Sequence, residues 1–170
     1  STHEHSSAAS DVYKRQGLDI SGYTIYDNVG LRHTFAEGSF LSGGGVALVF
    51  GGGSPTGEFG GADIVTTASG GSLSLNNNGD KVIINDKNGN QIIEFEWGGS
   101  TTYDGGSDQS LTRDPDLTGD FVLHSTTVAG GVYSPGTQTD GSVFDVGLND
   151  PTTIQFALRE FTLANNDGSY

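Results

Sequence analysis

The apolar residues of this chain occur in short β-branched and aromatic runs, each closed off by Gly, Asn, Asp, Ser or Thr. Val46–Phe50 lies between two glycine triplets, Lys81–Lys87 and Asn90–Trp97 flank Asn88-Gly89, and Phe121–His124 is equally brief. Punctuation of this kind specifies strands and turns and leaves no amphipathic helix of useful length. The 28 glycines among 170 residues serve that punctuation. Hydrophobic residues make up only 33% of the chain, so disorder has to be weighed against this pattern. The grouping of the apolar residues into strand-length runs favours a folded all-β domain.

Charge and cysteine content narrow the function. Seven Lys/Arg against 21 Asp/Glu give a net charge of −14. Few cations are available to displace counterions from a phosphate backbone, so nucleic acid is not an expected partner. The chain has no Cys, which removes disulfides and thiolate metal sites. No apolar run approaches the roughly 18 residues of a membrane span.

Along the chain, residues 1–16 are polar and aperiodic and read as a tail that is unstructured or not native to the domain. Its His3 and His5 are read as solvated side chains rather than metal ligands. Leu18–Tyr26 reads as one strand whose parity changes at Ser21-Gly22, the mark of a bulge. Asp27–Gly30 is turn material, and Leu31, His33 and Phe35 alternate as in a half-buried strand. Val46–Phe50 reads as a central, fully buried strand. Asn88-Gly89 predicts a two-residue type I′ hairpin that places Lys87 opposite Asn90, Ile84 opposite Ile93, Val82 opposite Phe95 and Lys81 opposite Glu96. Ser72–Leu75 is expected to add a third strand to this meander. Ser110–Arg113 and Phe121–His124 follow as strands, and Ser134-Pro-Gly136 as a turn. Period two throughout predicts an antiparallel β-sandwich.

The segments Leu18–Asp27, His33–Phe35, Val46–Phe50, Ser72–Leu75 with Gly79-Asp80, Ser110–Arg113 and Tyr133–Thr137 resemble, in order and spacing, the bacterial form of the lamin-tail domain. The resemblance covers about residues 17–138 and implies an immunoglobulin-like sandwich of the lamin-tail type spanning 17–139. Family members usually open with strands carrying an Asn-Glu pair and a Glu-aromatic-aliphatic-Glu pattern, and nothing of that kind precedes Leu18. One or two N-terminal strands are therefore expected to be missing. The edge beside Leu18–Tyr26 is then expected to be unpaired, covered by residues 11–16, or filled by another chain or by the stretch near Ile154–Leu163. The basic surface that animal lamin tails present to DNA is absent here. Ile154–Tyr170 resembles the opening of a Calx-beta-type repeat, so residues 140–170 read as a linker and the first strands of a further module.

Several constellations are candidates for chemistry. No Gly-x-Ser-x-Gly elbow ties His33 or His124 to a nucleophile, and both read as partly exposed sheet residues. The clusters Gly43–Gly45, Gly51–Gly53 and Gly60-Gly61 precede no helix and read as turns rather than a phosphate cradle. Asp104, Asp108, Asp114, Asp116 and Asp120 form the densest carboxylate group and are the candidate calcium ligands, though their spacing fits no calcium loop. Asp86–Gly89 and Asn165–Gly168 read as turns. Trp97 is expected in the core, and Tyr103 in a Gly-rich loop is the candidate ligand contact. No catalytic residue and no cofactor is expected.

The resemblance implies a non-catalytic extracellular module of a larger secreted or surface-attached bacterial protein, active in adhesion or domain positioning. Its partners would be neighbouring domains of the parent, surface polymers, or another copy through an open sheet edge. A calcium-dependent adhesin, a carbohydrate-binding module, or an accessory domain of a secreted nuclease or phosphatase are the other readings.

Overall fold

A computed structural model describes residues 17–99 and 108–144, together with the backbone of 160–161. Within these residues the protein is an all-β sandwich whose helical content is two three-residue 3₁₀ turns, Phe59–Gly61 and His124–Thr126. The strands are β1 (Leu18–Asp19), β2 (Thr24–Tyr26), β3 (Leu31–Thr34), β4 (Phe40–Leu41), β5 (Ala47–Phe50) and β6 (Ile64–Thr67). They continue with β7 (Gly79–Asn85), β8 (Gln91–Gly98), β9 (Leu111–Asp114), β10 (Asp120–Leu123) and β11 (Glu160–Phe161). One antiparallel sheet has the order β3-β2-β7-β8 and another the order β10-β9-β11. β1 and β4 form a small antiparallel pair, and β5 and β6 a parallel one.

The core lies between the two larger sheets. Val82 on β7 and Trp97 on β8 meet Leu111 on β9 and Phe121 on β10, with Ile25, Leu75, Ile84, Phe95 and Leu123 packed around them. The Phe95 and Phe121 rings, one from each sheet, have centroids 3.9 Å apart. Trp97 is 1% exposed and donates its indole N–H to the Asn76 carbonyl at 3.0 Å, so its one polar atom is satisfied. Burying a large apolar side chain of this kind is worth about 1.5–3 kcal/mol.

The hairpin keeps most of its predicted register. Val82 faces Phe95, Ile84 faces Ile93 and Lys81 faces Glu96. Its turn differs. Asp86 rather than Lys87 opposes Asn90, the register slips by one residue so that Asn85 faces Gln91, and Gly89 but not Asn88 has positive φ. The cause is Asp86, whose carboxylate accepts the backbone N–H groups of Asn88 and Asn90 and the Asn90 side-chain amide, each at 2.8 Å. That carboxylate-bridged loop displaces the type I′ turn.

Three other expectations are corrected. Leu18–Tyr26 is not one bulged strand. Gly22 takes φ +75° in a turn closed by the Tyr23 N–H to the Ile20 carbonyl, and β1 and β2 then enter different sheets. Both sides of β2 are taken by the domain's own strands β3 and β7, whereas β1 has a ladder partner, β4, on one side only among the described residues. Val46–Phe50 is not a central buried strand, since β5 is half-buried and its ladder partner is β6. Ser72–Leu75 forms no strand: Ser74 has φ +52° and bonds the Ser72 hydroxyl through both its N–H and its own hydroxyl, so local side-chain bonding replaces a ladder. Leu75 still reaches the core.

β3 is an edge strand, and the segment after β6 covers it without adding to the sheet. The Thr34 N–H donates to Ser69 Oγ, the Gly70 N–H to the Arg32 carbonyl, and the Ser69 N–H to Nδ1 of His33. This blocks an edge that would otherwise invite another strand. On the opposite sheet, β11 pairs with β9, Glu160 facing Thr112 and Phe161 facing Leu111. Glu160 and Phe161 thus pair away from Leu18–Tyr26.

Candidate functional site

The polar residues capable of chemistry gather at strand ends, where turns need their backbone groups capped. At one end, the Asp27 carboxylate accepts the N–H groups of Val29 and Gly30 at 2.8 and 2.7 Å and the Nε–H of Arg32 at 2.7 Å. Burial pushes its pKa up, but the Arg32 bond and the two backbone donors outweigh this and hold it below the ordinary carboxylate value. Beside it, Asp80 collects the N–H groups of Asn28, Asn76 and Lys81 at 3.1, 3.0 and 2.8 Å. Asp80 therefore joins the β2–β3 turn to the loop that enters β7, the same loop that receives the Trp97 N–H. Neither Asp27 nor Asp80 stood out as a site residue in the sequence. The signal that was present is an Asp opening the Asp27–Gly30 turn with Arg32 two residues beyond it.

The two histidines of the described residues are buried, not partly exposed as expected. His33 is 4% exposed and packs edge-on against Phe35 at 4.6 Å between ring centroids. Its Nδ1 accepts the Ser69 N–H, which leaves the proton on Nε2, where no acceptor lies among the described residues. Burial lowers its pKa. His124 is 1% exposed and begins a 3₁₀ turn rather than continuing β10. Its Nε2 lies 3.0 Å from Ser134 Oγ, and its Nδ1 has no partner among the described residues. A Ser–His contact therefore exists, but among the described residues no carboxylate meets Nδ1 to orient the imidazole as in a hydrolytic triad.

The carboxylate group is only partly assembled. Asp114 and Asp120 face each other directly across β9 and β10, beside Arg113, which donates to the Gly119 carbonyl at 2.7 Å and lies 4.3 Å over the Phe121 ring. Asp116 turns to the Thr139 N–H and hydroxyl. Asp108 precedes β9 at the end opposite Asp114, and Asp104 lies outside the described residues, as does Tyr103. Among the described residues no three His, Asp or Glu side chains converge as a metal site. Asp86 holds the hairpin turn, as its turn reading required, while Asn165–Gly168 lie outside the described residues.

Among the aromatics, Phe121 and Trp97 are core residues, and Tyr133 is 43% exposed on the loop that closes over His124. The glycine clusters are turns and close approaches. Gly45 closes a turn onto the Ser42 carbonyl and lies against the Asp63 carboxylate, which caps the Ser42 N–H and hydroxyl. The chain matches no family model, no curated protein and no solved structure.

Proposed function

We propose that this chain is a non-catalytic binding and spacer module of a larger secreted or surface-attached bacterial protein, holding neighbouring domains apart or against a surface polymer. The reading rests on the sequence resemblance to lamin-tail modules together with one structural observation. The groups most capable of chemistry are engaged in the frame: Asp27, Asp80, Asp86 and Asp116 accept turn N–H groups, His33 braces the Ser69 loop, and His124 meets Ser134 under a closed loop. Side chains committed in this way hold a rigid domain and leave binding to its surface.

The test combines cosedimentation with active-site labelling. The purified chain is spun with insoluble peptidoglycan, cellulose or chitin, and with whole bacterial cells, and treated separately with a fluorophosphonate that acylates activated serines. The reading expects the chain in at least one pellet and no label on Ser134. Labelling of Ser134, abolished by His124→Ala, would overturn the non-catalytic assignment. A melting temperature that falls on calcium chelation would favour the calcium-dependent alternative.

A further inference from the structure

The outer edge of β9 is completed by a remote piece of the chain. β10 pairs with all four residues of β9, whereas β11 pairs on the other side with Leu111 and Thr112. Leu111 and Thr112 are among the most buried residues of the domain, at 1% and 2% exposure. The connection back to the sandwich, residues 145–159, spans at most roughly 50 Å when extended. The antiparallel ladder formed by Glu160 and Phe161 contains nothing that depends on which chain supplies them. Its backbone bonds are identical whether the strand comes from the same copy or another. The sequence on either side of the paired residues, Ile154-Gln-Phe-Ala-Leu-Arg159 and Thr162-Leu163, has the aliphatic and aromatic content of a longer strand than the two residues that pair.

We propose that the outer edge of β9 is a strand-acceptor site, and that its occupant between molecules is the Glu160–Phe161 segment of a second copy of this chain. Copies joined in this way exchange the same strand and keep every pairing of the single chain. The inference stands on the β9 ladder and does not depend on the spacer reading. A second copy's strand competes with the chain's own tethered one, so exchange emerges as copies approach about 1 mM or are held close together on a surface.

The chain has no cysteine, so paired substitutions report the contact cleanly. Thr112→Cys and Glu160→Cys chains carrying different tags are refolded together at rising concentration and then oxidised. The expected result is a mixed disulfide dimer that increases with concentration, several-fold above a control mixture of Glu37→Cys with Glu160→Cys. The double variant Thr112→Cys/Glu160→Cys should close an internal disulfide when dilute. A mixed dimer no more abundant than the control, or no internal disulfide, overturns the proposal. Should Thr112→Cys fail to fold, sedimentation of the unaltered chain against Phe161→Pro decides. Concentration-dependent dimer lost in the proline variant supports strand exchange, and identical sedimentation of the two overturns it.

Discussion

His124 Nε2 and Ser134 Oγ lie 3.0 Å apart, joining the end of β10 to the Ser134–Thr137 turn beneath a loop that runs through Gly130 and Gly131. His124 also donates its backbone N–H to the Ser110 carbonyl, while the Ser110 N–H donates to the Val132 carbonyl. His124 is thus held by Ser110 through its backbone and by Ser134 through its ring. Ser134→Ala removes the one side-chain partner that this buried imidazole has among the described residues. It should cost about 1–3 kcal/mol of stability by denaturant unfolding, the usual penalty for stranding a buried polar group. A change under 0.3 kcal/mol, a size typical of surface substitutions, would show that the contact does not hold the loop (about ±0.5 kcal/mol bounds most such changes).

His33 makes stability depend on pH in a definite direction. Its folded pKa is lowered by burial, so the unfolded chain binds the proton first as acid is added. The contribution of neutral His33 is fully present above the ordinary histidine pKa of about 6.5 and is lost as pH falls below it. Protonation at Nδ1 would also remove the acceptor of the Ser69 N–H. Unfolding free energy measured between pH 7.5 and 5 (a range bracketing that pKa of about 6.5) should therefore decline. His33→Asn, whose side-chain carbonyl can accept from Ser69, should flatten the decline. An equal slope in both proteins would remove His33 as its source.

Two turn glycines separate conformational strain from close approach. Gly89 has φ +84° and open space around the position of a Cβ. Gly136 has φ +81°, and a Cβ there would stand 2.1 Å from the Phe59 carbonyl oxygen. Gly89→Ala should cost roughly 1 kcal/mol from the left-handed backbone alone. Gly136→Ala should cost clearly more, because the Phe59–Gly61 turn must move as well. Thermal unfolding of the two variants side by side provides the comparison, and equal losses would show that the two loops separate freely.

Trp97 and Asp80 stabilise the same end of the sandwich by different means. Trp97→Ala should lose about 3–5 kcal/mol through a core cavity. Asp80→Ala should lose about 1.5–3 kcal/mol, because three backbone donors surrender a charged acceptor. The two sites meet through Asn76, which donates its N–H to Asp80 and accepts the Trp97 indole, so the double variant should lose less than the sum. Strict additivity in urea unfolding would show that the Asn76 loop does not couple them.

Parity made the sheet core readable. Val82, Ile84, Ile93 and Phe95 share a face because alternate residues of a strand must, and Trp97 follows the same parity into the interior. The burial of His33 was not readable in this way. Leu31, His33 and Phe35 have the same parity, yet Leu31 is 50% exposed and His33 is closed in by Ser69, thirty-six residues further along. Among the candidate site residues, Asp114 and Asp120 came together because β9 and β10 form a tight hairpin. Asp116 left the group because Thr139 offered it two donors.

The sequence by itself determined that this chain folds as short strands joined by glycine-rich turns, because periodicity and turn chemistry act over a few residues. Tertiary structure alone decided which strands became neighbours, which loops sealed the two histidines, and which remote segment completed β9. Those outcomes depend on contacts between residues far apart in the chain, where backbone donors and acceptors are satisfied by whatever packing brings within reach.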